Sequence, residues 1–446
     1  MSTATNATVP AAVRRKAVVA AAIGNFIEWF EFTLYGFFAA TIAMNFFPTG
    51  QGTPSLLATF AAFSVPFVAR PLGSLVFGHF GDRLGRRTTL SVAILGMSGA
   101  TFVIGALPSH DSIGLAAPVL LVIARVTQGF SAGGEFGGAT AFLVEYAPEN
   151  RRTFYGSWQM STQFLAGLVA AVIGTVLSTV LSAEALNAWG WRLPFLLTLP
   201  LGVIGLYLRL RLDETPQFKQ AAQQNSEHEA PLLHVMREHW ADMLRVIGLL
   251  ITGTTCFYMI QAFWPAFLVQ ELGMPQSRMF TAMLLGIAVQ VALTPAWALL
   301  ADRIGRRKPF LVASPVALVL CAVPIYLLLL QGTFLTTTAA YVLLALAASP
   351  MTGSLATAMA EVFPVRVRYS GMSVAYSVAV SIFGGFTPLI LTSLIRATGS
   401  TMSPAYYLAG TALVSAVAAA SFGETGTRPA VRETTRAQDA PSVPAP

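Results

Sequence analysis

Leu120–Glu145 reads LLVIARVTQGFSAGGEFGGATAFLVE, a stretch apolar enough to cross a bilayer that nonetheless holds a cation, an amide and a carboxylate. At 100° per residue, Gln128 lies about 60° and Glu135 about 80° from Arg125 around a helix, so all three share one face. Gly133, Gly134, Gly137 and Gly138 crowd the inner half, where small residues let neighbouring backbones approach closely. A charge at the bilayer centre costs about 2.5–3.5 kcal/mol. Two on one face mark a polar site buried in a membrane.

Composition agrees. Of 446 residues, 55% are hydrophobic and 11% charged, less than half of the roughly 25% charged residues of soluble domains. Hydrophobic runs fill the whole length. The polar Met1–Lys16 precedes an apolar run without a small-residue cleavage site, which reads as an uncleaved first span rather than a signal peptide. Cys256 and Cys321 both fall inside apolar runs and read as buried small side chains, without a disulfide framework.

At about 20 apolar residues per span, the chain divides into twelve helices at 17–47, 56–79, 88–107, 116–144, 154–182, 191–210, 244–271, 277–301, 309–330, 335–361, 370–396 and 402–422. With the N-terminus in the cytoplasm, 22 of the 27 lysines and arginines lie inside, as the positive-inside rule requires. Both termini are then cytoplasmic. The net charge of +7 follows from topology and calls for no nucleic-acid partner.

A repeat divides the span set in two. Gly81-Asp-Arg-Leu-Gly-Arg-Arg87 recurs as Ala301-Asp-Arg-Ile-Gly-Arg-Arg307, and Glu145-x-x-Pro148-x-x-x-Arg152 as Glu361-x-x-Pro364-x-x-x-Arg368. The expected organisation is a cytoplasmic segment 1–16, a six-helix lobe 17–210, a cytoplasmic linker 211–243, a second six-helix lobe 244–422 and a disordered tail 423–446 without heptads.

The doubled DRxGRR signature resembles the major facilitator superfamily. Within it, Gly24-Asn-Phe-Ile-Glu-Trp-Phe-Glu-Phe32, Arg70-Pro-Leu-Gly73, Gln128-Gly-Phe-Ser-Ala-Gly-Gly-Glu135 and Trp189-Gly-Trp-Arg-Leu-Pro-Phe195 resemble the metabolite:proton symporter group, which includes proline/betaine, alpha-ketoglutarate, citrate and shikimate transporters. Phe63-Ser-Val-Pro-Phe67, Gly156-Ser-Trp158 and Pro404-Ala-Tyr-Tyr-Leu408 are most similar to the proline/betaine members. Arg125 stands where those members are expected to carry lysine, and a planar guanidinium suits bidentate carboxylate binding. The resemblance implies an all-α integral membrane protein of two pseudo-symmetric six-helix lobes that imports a small carboxylate-bearing metabolite with protons by alternating access. A di- or tricarboxylate and a zwitterionic osmolyte such as proline or glycine betaine both stay open. The expected setting is a bacterial inner membrane, with the protein as a monomer.

Three carboxylates are candidates for the coupling proton. Glu28 and Glu31 lie three apart on the first span, and Glu135 on the fourth. A desolvated carboxylate has a raised pKa and can load and release a proton; the alternative is a permanent charge partner for Arg70 or Arg125. For substrate contact the candidates are Arg125, Gln128 and Arg70, with Tyr258, Gln261 and Trp264 at three-residue spacing on the seventh span and Tyr376 beside Ser377 on the eleventh. Arg70 precedes a proline, so the competing reading has it satisfying carbonyls freed by a kink. The aromatic residues suit a quaternary ammonium or simple packing.

Gly81, Asp82, Arg83, Gly85, Arg86 and Arg87, with their counterparts Asp302, Arg303, Gly305, Arg306 and Arg307, lie at the membrane edge. An aspartate there can sit against a helix N-terminus while arginines pair across the face. What the resemblance implies is a latch that stabilises the outward-open state. There is no Walker-A loop, no metal spacing among the five histidines and no nucleophile–base arrangement, so the reading is not an enzyme and needs no cofactor, only the proton. The fifth span contains no proline and so lacks the Gly-Pro motif usual in efflux antiporters; export and a non-transporting sensor remain the alternatives.

Overall fold

A bilayer core offers no partner for backbone N–H and C=O groups, so long apolar runs must close their hydrogen bonds internally. The computed structural model describes residues 11–47, 53–84, 86–134, 140, 143–144, 147–210, 237–363 and 368–424, and among them there are helices and no strands. Among the described residues, twelve helical segments cross the bundle. These are α1 (Ala11–Phe37, continued by Ala39–Phe46), α2 (Thr53–Leu84), α3 (Arg86–Ala106), α4 (Ala116–Ser131), α5 (Arg152–Val180) and α6 (183–210, interrupted by a π turn at Leu186–Gly190). Then come α7 (Trp240–Gln270), α8 (Gln276–Ile304), α9 (Lys308–Leu330), α10 (Phe334–Val362), α11 (Arg368–Val380, a π turn Ser381–Gly385, and Thr387–Thr398) and α12 (Ser403–Ser421).

The segments match the expected spans, with four differences. The first begins six residues early, at Ala11, within the segment 1–16 expected to precede it. The fourth, read as one helix to residue 144, tightens after Ser131 into a 3-10 turn at Ala132–Gly134, where paired glycines favour helix least, and Thr140, Leu143 and Val144 are again helical. The sixth begins eight residues early, at Ala183, because Ser182 caps it by accepting from the Ala185 N–H. The seventh carries a π turn at Met259–Phe263, which alters the face of every later residue.

α5 packs along α8 and α10, α2 against α11, and α1 against α7, joining the two halves of the chain. α7 is deeply enclosed: 78% of its most apolar window is buried, against 33% in α8. Exposed Val172, Val176, Val180, Leu320, Leu327 and Val417 face outward, an apolar surface that suits lipid and that water would penalise. Gly305 ends α8 in the left-handed region at φ 70, which is why the repeated signature carries glycine there.

Candidate functional site

The first helix carries two carboxylates into the interior, and they meet different partners. Glu28 and Arg70 are each 2% exposed, and Arg70 Nη2 donates to Glu28 Oε1 at 2.6 Å. The guanidinium also lies 5.7 Å from the Phe32 ring and 5.9 Å from that of Tyr376. Glu31 instead accepts from Ser98 Oγ at 2.5 Å and Thr101 Oγ1 at 3.1 Å. Hydroxyl partners of this kind serve a carboxylate and its protonated form alike.

Arg125 belongs to the kink of α2. Pro66 lacks an N–H, so the carbonyl four residues back is left without its helical donor. Arg125 Nε donates to that carbonyl, Ala62 O, at 3.4 Å, and Nη2 to Phe63 O at 2.8 Å. Nη1 reaches Gln128 Oε1 at 2.5 Å, and Gln128 Nε2 in turn donates to Thr101 Oγ1 at 2.8 Å. The cation stacks 4.2 Å from the Tyr35 ring centre. Close approach is possible because a Cβ at Gly129 would run into the Pro66 backbone. Arg125 thus serves the carbonyl freed by Pro66, while the one freed by Pro71, Phe67 O, accepts from Ser381 Oγ at 2.8 Å, and Arg70 holds the Glu28 carboxylate.

Tyr258 and Gln261 face this centre from α7. Tyr258 lies among the rings of Phe67 at 5.3 Å, Phe63 at 5.8 Å and Phe257 at 5.2 Å. The π turn of α11 brings glycine against it, since a Cβ at Gly384 would stand 2.5 Å from Tyr258 Cε2. Thr33 Oγ1 donates to Gln261 Oε1 at 2.8 Å. Tyr376 lies under Arg70 at 5.9 Å.

Trp264 does not join them. Its Nε1 donates to Tyr326 Oη at 3.1 Å, and its ring packs 4.9 Å from Tyr341, between α7, α9 and α10. Six residues on from Tyr258 is already about 120° around a regular helix, so three-residue spacing does not keep Trp264 on the Tyr258 face. Glu135 and Gly85 lie outside the described residues. Gly81, Asp82, Arg83, Arg86 and Arg87 fall in helix ends whose side chains are not described.

At the end of the bundle that carries the basic loops, the second copy of the signature is visible. Asp302 Oδ1 and Oδ2 accept from the Thr153 and Phe154 N–H groups at 2.9 and 2.8 Å, so a carboxylate caps the positive start of α5. Arg307 is 2% exposed, donates through Nε to Thr153 Oγ1 at 2.9 Å and pairs with Glu361. Burial lowers its guanidinium pKa from the ordinary value, and the nearby Asp302 opposes that shift. Thr357 Oγ1 donates to Arg152 O at 3.2 Å. Arg306 is exposed and reaches Glu424 at 3.4 Å, and Arg303 is exposed.

At the opposite end the halves meet through neutral groups. Gln276 Nε2 donates to Thr41 Oγ1 at 3.1 Å, Gln270 Nε2 to Ala40 O at 3.2 Å, and Phe38 packs 5.5 Å from Phe280. With both ends closed, the central cavity leaves about 10 Å³ for the centre of a water-sized sphere, room for roughly one water.

Several participants were missed as site residues in the sequence. Glu361 was visible as half of a repeated Glu-x-x-Pro motif but was used only to count repeats. Ser98, Thr101 and Thr153 carry no signal of their own, because serine and threonine are ordinary in membrane helices. Asn25 lies within a quoted motif: its Nδ2 donates to Thr162 Oγ1 at 2.7 Å, and Gln159 Nε2 donates to its Oδ1 at 2.8 Å, fixing α1 to α5.

Comparison with known proteins matches this architecture. The family described as Major Facilitator Superfamily matches residues 21–321, and the family of sugar (and other) transporters matches 219–430. The chain is 37% identical to the proline/betaine transporter of Escherichia coli strain K12 over 95% of this chain and 86% of that one. It has the same identity and coverage with a glycine betaine/proline/ectoine/pipecolic acid transporter of Dickeya dadantii. Among solved structures, the partially occluded inward-open xylose transporter of E. coli superposes with a TM-score of 0.72 at 14% identity, covering 93% of this chain and 99% of that one. A twelve-helix bundle with a doubled loop signature and relatives that are transporters rather than enzymes leads to one conclusion: the chain belongs to the major facilitator superfamily of multi-pass membrane transporters.

Proposed function

We propose that the chain is a proton-coupled importer of a small carboxylate-bearing zwitterion, of the kind represented by proline and glycine betaine. The buried Glu28–Arg70 pair carries this reading. While Glu28 is ionised, the pair is neutral overall. Protonating Glu28 leaves the Arg70 charge uncompensated in a site of low dielectric, where an anionic group nearby is then strongly favoured. Proton loading and carboxylate binding thus promote one another, and linkage makes the effect reciprocal. The aromatic surroundings suit an ammonium group, and the names of the relatives support an osmolyte over a di- or tricarboxylate.

In this reading Glu31 and Glu135 are the other carboxylates open to coupling, and Arg125 supports the α2 kink. The basic end faces the cytoplasm with both termini, by the positive-inside rule. Segments 17–210 and 244–422 rock about the centre as lobes, joined by the linker 211–243, in a monomer that engages no nucleic acid and requires no cofactor. The Asp302, Arg307 and Glu361 contacts supply the inner latch.

The test is uptake into proteoliposomes under an imposed inward proton gradient, with radiolabelled proline, glycine betaine, citrate and alpha-ketoglutarate in parallel. Uncoupler-sensitive accumulation of proline or betaine is expected, and Glu28→Gln is expected to abolish uphill accumulation while sparing exchange. Accumulation of citrate or alpha-ketoglutarate alone, or uncoupler-insensitive uptake, defeats the proposal.

A further inference from the structure

Tyr376 is carried by α11, in the second half of the chain, yet it is buried against two side chains of the first half. Its ring centre lies 5.9 Å from the Arg70 guanidinium carbon, and its hydroxyl is hydrogen-bonded to the Gln163 side chain of α5. Gln163 Nε2 has no partner among the described residues, which leaves Oε1 as the acceptor. Gln163 is itself held in place. One turn before it, Gln159 O accepts from Asn25 Nδ2 at 3.0 Å and Gln159 Nε2 donates to Asn25 Oδ1 at 2.8 Å, and Asn25 lies one turn before Glu28 on α1. The level of these contacts follows from α5, which starts at the basic end under Asp302. Gln159 meets Asn25, whereas Gly167, further along, meets Gln261, the partner of Thr33 on α1. α1 and α5 therefore run in the same direction. Glu28, Arg70 and Tyr376 lie on the basic-end side of the cavity lined by Phe32, Thr33 and Gly36. Tyr258 of α7 is within electrostatic reach of all three, and of Arg125 on α4.

We propose that Tyr376 is a positioning residue of the inner closure, its ring covering Arg70 and its hydroxyl fixed on Gln163, so that the basic end stays shut whenever Arg70 lacks a countercharge. Tyr376 and Gln163 belong to opposite halves, so opening that end pulls the ring from the guanidinium and breaks the hydroxyl bond. A ring face holds a desolvated cation more strongly than one that is already compensated. While Glu28 is ionised the ring therefore adds little. Once Glu28 is neutral, the ring is what remains to hold Arg70, and the closure tightens. A solute carboxylate beside Arg70 restores the compensation and lets the end open. For transport the consequence rests on the proposed importer reading: a carrier that has taken up a proton without solute is kept from releasing it inside, which suppresses a futile proton leak.

The test reads the ratio of open to closed basic end without solute, from spin labels at exposed Arg151 and Arg303 in the full-length protein with Cys256 and Cys321 replaced by alanine. Tyr376→Leu and Tyr376→Phe are each compared with Glu28 in place and with Glu28→Gln, whose neutral side chain leaves Arg70 permanently without a countercharge. Tyr376→Leu is expected to raise the ratio about fivefold with Glu28 present and about thirtyfold or more in Glu28→Gln. Tyr376→Phe keeps the ring and loses the hydroxyl bond, so it should raise the ratio about threefold in both backgrounds, and Gln163→Leu should add nothing to it. Tyr376→Met replaces Tyr376→Leu if the latter does not fold. Equal effects of the ring deletion in the two backgrounds, or a Tyr376→Phe effect as large as that of Tyr376→Leu in Glu28→Gln, would overturn the proposal. In a preparation that shows proton-driven uptake, Tyr376→Leu is also expected to admit protons without solute several-fold faster than the unaltered protein, and unchanged influx overturns the proposal. Charge-dependent opening without proton-driven uptake refutes the coupling and leaves the role of Tyr376 standing. Uphill uptake with equal ring effects in both backgrounds refutes that role alone.

Discussion

Glu28 and Glu31 stand three residues apart on one helix, and their neighbours give them different work. Glu28 meets a guanidinium, whereas Glu31 meets the hydroxyls of Ser98 and Thr101. Removing one member of a buried pair costs about 3–5 kcal/mol, mostly because the other charge is left uncompensated. Arg70→Gln alone is therefore expected to lower thermal stability in detergent. Adding Glu28→Gln should restore much of it, with a coupling energy of about 0.5–3 kcal/mol in the double-mutant cycle. Additive losses would show that the two side chains are not an energetic pair. Glu31→Gln keeps an oxygen that accepts from one hydroxyl and turns an NH2 donor toward the oxygen of the other, so its melting temperature should change little beside that of Arg70→Gln. The sequence marked all three residues as buried and polar, because charge inside an apolar run is conspicuous. Which cation met which carboxylate was hidden, since pairing across helices depends on rotation and depth that hydropathy does not encode.

At the level of elements, the α2–α4 crossing couples a proline, an arginine and a glycine from three quoted motifs. Pro66 frees the Ala62 carbonyl, Arg125 donates to it, and Gly129 gives the clearance. Gly129→Val places a side chain where backbone already stands, an overpacking that costs typically about 1–3 kcal/mol when only side chains must yield. Here backbone must move, so the loss should reach at least the top of that range. A melting temperature in detergent indistinguishable from the unaltered protein would mean that the helices do not cross so closely. The twelve segments were legible because apolar runs of membrane length are long and sharply bounded. The π turn at Met259–Phe263 was not: one inserted residue leaves hydropathy unchanged while rotating all that follows. Trp264 was placed at the site by its three-residue spacing, which drifts about 120° over six residues even without the π turn, and it lies against Tyr326 and Tyr341 instead.

Across the whole molecule, the two closures differ in kind. The basic end is held by Asp302 on the start of α5 and by the buried Arg307 with Glu361 and Thr153, and the other end by amides, a hydroxyl and rings. Alternating access requires each closure to break in turn, so weakening one shifts the populations of the states. Arg307→Ala leaves Glu361 with no guanidinium while the end is closed, and opening returns that carboxylate to water. A shift of about 3 kcal/mol follows from the usual cost of an unpaired buried charge, or on the order of a hundredfold in population ratio. Gln276→Ala removes a neutral contact worth about 0.5–1.5 kcal/mol and should favour the opposite opening more weakly. Spin labels at exposed Arg151 and Arg303 across the basic end, and at exposed Ser112 and Gln331 across the other, report both in a background with Cys256 and Cys321 replaced by alanine. Arg307→Ala is expected to lengthen the first distance and leave the second short, and Gln276→Ala to do the reverse. Lengthening of both distances together would mean that the closures are not alternatives, and the rocking of two lobes about a shared centre would fail with them.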